Sequence, residues 1–88
     1  MLKAIYERQF KKEVKIAIRR GKDIQQLESI MKLLIEKKLL PPKNRNHRLQ
    51  GEFKNYWECH IEPDWLLIYK KTSSEIIFVR TGTHSDLF

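Results

Sequence analysis

Cysteine is nearly absent from this chain. Cys59 stands alone, which leaves no partner for an intrachain disulfide and no thiolate set for a cysteine zinc cluster. That fits a reducing compartment, and a cytosolic protein is expected. Long apolar runs are missing too. The longest, WLLIY at 65–69, falls far short of the roughly 20 residues a membrane helix needs, and the opening MLKAIYERQF lacks the apolar core of a signal peptide. No repeat or low-complexity segment interrupts the 88 residues, so one domain over 1–88 is expected, with too modest a core for a deep internal pocket. Acidic residues are scarce in one half only. Residues 1–44 hold 12 Lys/Arg against 5 Asp/Glu, whereas 45–88 hold 6 of each, so the whole net charge of +7 lies in the first half. Such an excess favours a polyanionic partner through long-range attraction and counterion release.

What is present reads as two helices and then a run of strands. LKAIY (2–6) is short enough to be an opening strand. Phe10, Val14, Ala17 and Ile18 then recur at helical spacing, with Lys11, Lys12 and Lys15 among the basic residues turned away from them. Gly21 can cap that helix in a left-handed conformation. Asp23 followed by Gln26 resembles a capping box, and Ile24, Leu27, Ile30, Met31, Leu34 and Ile35 form the stripe of a second helix. Pro41 and Pro42 end the helical half and open a polar loop. Strands are expected over 56–62, 65–71 and 75–83, with turns at Pro63–Asp64 and at TSS. The order implies an α+β fold with both helices packed on one face of a twisted antiparallel sheet. Alternation along YWECHIE sends Trp57, Cys59 and Ile61 to the helix side and Glu58, His60 and Glu62 to the other. Tyr69 and Phe78 are expected in the core, and Trp65, which starts its strand beside Asp64, is less constrained.

All three histidines lie in the neutral half: His47 in the loop entering the sheet, His60 on the polar strand face, and His84 after Gly82 at the end of the last strand. If the strands pair in order, His60 and Asp64 approach Arg80 and His84. Imidazoles suit proton transfer near neutral pH, and Arg80 could stabilise charge on a phosphate. Metal-free RNA cleavage asks for that combination: a base for the ribose 2′-hydroxyl, an acid for the departing 5′-oxygen, and a cation for the phosphorane. The same residues could instead be zinc ligands, although no HxxxH or HExxH spacing is present, or simply solvated side chains. Residue types alone leave the three readings open.

Three segments narrow them. HRLQG (47–51), ECHIEPDWLLIYK (58–70) and RTGTHSDLF (80–88) closely resemble the YafQ branch of the RelE-type toxins of bacterial toxin–antitoxin systems, in the same order and at the same spacing. The resemblance covers nearly the whole chain and implies an mRNA interferase, a cofactor-free, metal-free ribonuclease that cuts messenger RNA on the ribosome and is restrained by a DinJ/RelB-like antitoxin. It places the functional residues at His47, His60, Asp64 and His84, with His84 as general acid, and puts Trp65, Arg80 and Phe88 in the RNA pocket. The basic face of Lys11, Lys12 and Lys15 is then expected to meet ribosomal RNA, and the same half to meet the antitoxin. The chain departs from the family at Trp57, where arginine is frequent. That departure keeps an alternative open, a feebly active homologue that binds RNA or antitoxin, or acts as a corepressor.

Overall fold

The computed structural model describes residues 1–88. Strand β1 (Lys3–Tyr6) leads into helix α1 (Arg8–Arg19) and helix α2 (Ile24–Ile35). After a 3-10 turn at Pro42–Asn44 comes the two-residue strand β2 (His47–Arg48), and after a second at Gly51–Phe53 come β3 (Trp57–Glu62), β4 (Trp65–Lys71), β5 (Glu75–Gly82) and a short helix, α3 (His84–Leu87). The five strands form one sheet in the order β1-β5-β4-β3-β2.

Local chemistry sets the helix boundaries. Beyond α1, Gly21 adopts φ 79° while its N–H reaches the Ile18 carbonyl and the Lys22 N–H reaches the Ala17 carbonyl. This is the Schellman arrangement that satisfies the last carbonyls of a helix. At the start of α2 the Asp23 carboxylate accepts the Gln25 N–H at 3.0 Å. The expected capping-box partner does not reciprocate, because the Gln26 side chain turns to Glu62 instead. In α1 the buried stripe is Phe10, Glu13 and Ala17, while Ile18 is exposed. A carboxylate thus sits where the apolar pattern suggested an aliphatic residue.

Phe10 and Ala17 from α1 and Leu27, Ile30 and Leu34 from α2 pack with Cys59, Ile61, Trp65, Leu67, Tyr69, Ile76 and Phe78 in one core. Both helices therefore cover one side of the sheet, as expected. The sheet is mixed rather than antiparallel, because β1 runs parallel to β5, from Lys3 opposite Glu75 to Tyr6 opposite Phe78. Between the two lie both helices and strands β2–β4: α2 ends back beside the start of β1, where the Leu2 N–H meets the Ile35 carbonyl, and the strands that follow deliver β5 in the same direction as β1. β1 stops opposite Phe78, and there β5 carries a bulge, its register with β4 shifting between Ile68 and Tyr69. The last residues of β5 are thus an edge without a strand partner, and α1 lies against it: the buried Glu13 carboxylate accepts the Thr81 N–H at 3.1 Å. An unpaired amide donor at a buried edge is satisfied by a side chain.

Trp57 follows the alternation. It packs against the core side, stacks on Tyr69 at 6.3 Å, and lies under Lys71, whose ammonium is 4.4 Å from the ring centre. No helix is long and apolar enough to cross a membrane.

Candidate active site

His47 and Glu58 face each other in the register of β2 and β3, and His60 follows Glu58 by two on the same strand face. The Glu58 carboxylate is buried between the two rings, with Oε1 3.5 Å from His47 Nε2 and 3.7 Å from His60 Nε2. Each ring is held from its other side. His47 Nδ1 lies 2.6 Å from the Arg45 carbonyl and His60 Nδ1 3.2 Å from the Pro63 carbonyl. A carbonyl can only accept, so both Nδ1 atoms carry hydrogen and the proton-exchanging atom of each ring is Nε2. A proton taken up there meets the Glu58 carboxylate. Asn44, itself buried, donates to the His60 carbonyl at 2.7 Å and ties the loop to β3.

The third histidine is oriented by a different carboxylate. Asp64 Oδ1 accepts both the His84 backbone N–H at 2.9 Å and the ring Nδ1–H at 2.6 Å. Those two bonds, the backbone one foremost, hold the Asp64 carboxyl below the usual carboxylate range. With Nδ1 engaged, His84 Nε2 is free, and more than half of the side chain is solvent-exposed. The rings form a row, His47 6.4 Å from His60 and His60 5.8 Å from His84.

His84 does not stand on the end of a strand, as expected, but in the first turn of α3. That turn begins at Thr83, whose side chain accepts the Asp86 N–H while the Asp86 carboxylate accepts the Thr83 N–H, a reciprocal capping box. Arg20, just past α1, clamps Asp86 at 2.6 Å, and this guanidinium holds the Asp86 carboxyl well below its usual range. Gly82 makes the fit possible, since a Cβ there would lie 2.9 Å from Asp86 Cβ.

Two of the residues expected in the RNA pocket, Trp65 and Arg80, have partners within the protein. Trp65 is only 1% exposed, and its Nε1 donates to Thr81 Oγ1 at 3.0 Å, so it supports the sheet from within and offers no face to a base. Arg80 is bound by Glu13, with Nε 2.9 Å from both carboxylate oxygens and Nη2 2.6 Å from Oε2. It lines a cavity of about 260 Å³ with Arg20, Lys22, Glu13 and Asp86, among whose lining residues there is no histidine. Its charge is thus compensated at the edge of β5. Cations do lie beside the histidines: Lys43 and Arg45 line a hollow of about 410 Å³ with His60. Arg45 adopts φ 47°, a conformation that costs a non-glycine residue about 1–2 kcal/mol and that accompanies the delivery of its carbonyl to His47. Phe88 is exposed and meets Phe53 edge to face at 5.9 Å. Lys11, Lys12 and Lys15 are all exposed on α1.

Glu58, Asn44, Arg45 and Glu13 escape a reading of the sequence as polar surface. Only the Glu-x-His spacing at 58–60, which places both side chains on one strand face, signals any of them. Cys59 between the two is fully buried, its thiol pushed up to about 12 mainly by burial, and takes no part. No group of three or more His, Cys, Asp and Glu side chains is disposed to hold a metal ion.

Comparison with known proteins assigns the chain to a family. Residues 2–88 match the family of the bacterial toxin of type II toxin–antitoxin systems, YafQ. The mRNA interferase toxin YafQ of Escherichia coli K12 is 49% identical over 84 residues, covering 94% of this chain and 91% of that protein. The toxin in the crystal structure of the E. coli DinJ–YafQ toxin–antitoxin complex superposes with a TM-score of 0.92 at 45% identity, covering 99% of this chain and 97% of that one. A metal-bound toxin from Helicobacter pylori superposes at 0.93 with 36% identity over the full length of both chains.

Proposed function

Because the chain belongs to the YafQ family of toxins of bacterial type II toxin–antitoxin systems, we propose that its row of histidines is the active site of an mRNA interferase that cuts RNA by acid–base chemistry without a metal. The observation that supports this most is the shared geometry of the three rings. Each is anchored through Nδ1, to a carbonyl or to Asp64, so that Nε2 is the atom left to exchange a proton.

In this mechanism Nε2 of His47 or His60 removes the proton of a ribose 2′-hydroxyl, and Glu58 receives the charged ring that results. Oxygen O2′ attacks the adjacent phosphorus. The bond to O5′ breaks, and His84 Nε2 gives that oxygen its proton, with Asp64 holding the ring in place. Products are a 2′,3′-cyclic phosphate, open to hydrolysis to a 3′-phosphate, and a 5′-hydroxyl. Lys43 and Arg45 supply the positive charge for the phosphorane, a duty that the pairing of Arg80 with Glu13 assigns elsewhere. Trp57 lies on the other side of the sheet, so the absence of an arginine there removes nothing from this face and gives the inactive-homologue reading no support.

The substrate is messenger RNA on the translating ribosome in the cytoplasm, with the exposed Lys11, Lys12 and Lys15 face on ribosomal RNA. The restraining partner is a DinJ-like antitoxin, by analogy with the E. coli complex. The test is His84→Gln. A positioned general acid is worth about 10²–10⁴ in rate, so cleavage of ribosome-bound mRNA falls by that factor while the thermal transition holds. Wild-type cleavage persists when zinc is chelated with magnesium kept constant. Undiminished cleavage by the variant, or loss on chelation with recovery on adding zinc, contradicts the proposal.

A further inference from the structure

Seven large apolar side chains are more than a third exposed, and two of them, Phe53 and Phe88, touch each other. Phe53 comes from the 3-10 turn before β3 and Phe88 from the end of α3, so the fold brings together two rings distant in sequence yet leaves them 41% and 60% exposed. Their planes are perpendicular, at 89°. Phe53 also meets the edge of Tyr56, 6.1 Å away, and the Lys70 ammonium lies 5.0 Å from the centre of the Tyr56 ring. Phe88 follows His84 by four residues and donates its N–H to the His84 carbonyl at 2.9 Å, which puts both on one side of α3. The aromatic group is therefore tied through the α3 backbone to the residue assigned to protonate the leaving oxygen.

We propose that Phe53, together with Phe88, forms a stacking platform for the RNA base next to the scissile phosphate, and that differences in stacking strength among the bases bias the cut site modestly. The occupant is single-stranded RNA rather than an apolar peptide, on three grounds. Any base offers a π-face to an exposed ring. The Lys70 ammonium lies over the Tyr56 edge of the group and Lys54 follows Phe53 in the chain, which suits a phosphate backbone. And Phe88 joins the platform to α3, the helix that carries His84. The inference rests on the ribonuclease reading of the histidine row, but Phe53 has no part in the proton transfers and so is tested separately.

The experiment compares Phe53→Leu, which keeps apolar contact with Phe88, and Phe53→Tyr, which keeps the ring. Cut sites are mapped on ribosome-bound mRNA for both. In parallel, quenching of 2-aminopurine is followed in a short single-stranded RNA whose scissile ribose is 2′-deoxy and so cannot be cleaved. Losing one base–aromatic stack weakens binding by about 5- to 150-fold. Phe53→Leu is expected to lose affinity and cleavage efficiency within that range, to lose the quench and to spread its cuts over more sequence contexts, while Phe53→Tyr retains all of these. If Leu matches wild type in affinity and cut sites, or if Leu and Tyr are equally impaired, the pair merely staples the loop to α3 and the inference is overturned. Should the wild type itself fail to cut RNA, the proposed function falls, while the quench still decides whether a base stacks on Phe53.

Discussion

Two groups of charged side chains flank the end of β5, and they differ in what remains unpaired. On the helix side, Glu13 takes three N–H groups from Arg80 and Thr81, and Asp86 takes the Arg20 guanidinium and the Thr83 N–H. Every carboxylate there is satisfied by donors that stay protonated at neutral pH. On the other side, Glu58 and Asp64 are matched to imidazoles, side chains that can both accept and donate a proton: Nε2 of His47 and of His60 faces Glu58, and His84 is held through Nδ1 by Asp64. The first arrangement holds an edge strand and a helix in place. The second can change its protonation during a reaction. Charge density alone does not separate the two; the chemistry of the partners does.

Substitutions can break this contrast or sharpen it. Among the carboxylates the largest effect is expected at Glu58→Gln, which preserves shape but removes the charge proposed to receive a protonated His47 or His60. We expect kcat to fall about 10²-fold with KM and the thermal transition near wild type, measured by steady-state cleavage and calorimetry. A change confined to stability would move Glu58 into the structural class. Glu13→Gln should do the reverse. Losing charge-assisted bonds at a buried edge costs about 1–3 kcal/mol, and a domain of this size loses roughly 4–8 °C of Tm per kcal/mol. Folded protein, assayed well below its Tm, keeps its cleavage rate. Abolished activity in fully folded Glu13→Gln would erase the distinction between the two sides.

The smallest effect concerns acid. Asp64 and Asp86 both have carboxyl pKa values held below the ordinary 3.8, the one mainly by the His84 N–H groups and the other mainly by Arg20. A depressed folded value means stabilisation that is complete above 3.8 and declines as pH falls from there through the lower folded values. Both pairs are solvent-exposed, so the contribution is small. Hydrogen exchange in α3 should rise below that pH before exchange in β4 does, and Asp86→Asn should bring the α3 change about already at neutral pH. Simultaneous loss of protection in α3 and β4 in the wild type would show that the clamp does not govern α3.

How far the sequence foretold this arrangement depended on whether the relevant partner was local. Capping at Gly21 and Asp23 was legible because a glycine or a side-chain oxygen acts within a few residues. The split between Trp57 and His60 was legible because strand alternation is strictly local. The direction of β1 was not, since apolar patterning does not state which strand lies beside it. Glu13 was unreadable for a similar reason: its burial depends on the β5 edge left open where β1 ends, a contact 68 residues away in sequence. Trp65 could have faced either way at the start of its strand, and its bond to Thr81 fixes it inward. The histidine row was legible as a candidate, but the assignment of Glu58 to His47 and His60 and of Asp64 to His84 needed the β2–β3 register and the turn into α3.

The most direct measurement of the central claim is the chemistry of the cut ends. Wild-type protein is incubated with mRNA on the ribosome, and the termini of the fragments are identified by mass spectrometry. Attack by the 2′-hydroxyl, with His84 protonating O5′, leaves a 2′,3′-cyclic phosphate or 3′-phosphate on one fragment and a 5′-hydroxyl on the other. Fragments bearing a 3′-hydroxyl and a 5′-phosphate would mean that water, not the ribose, was the nucleophile, and would contradict the account.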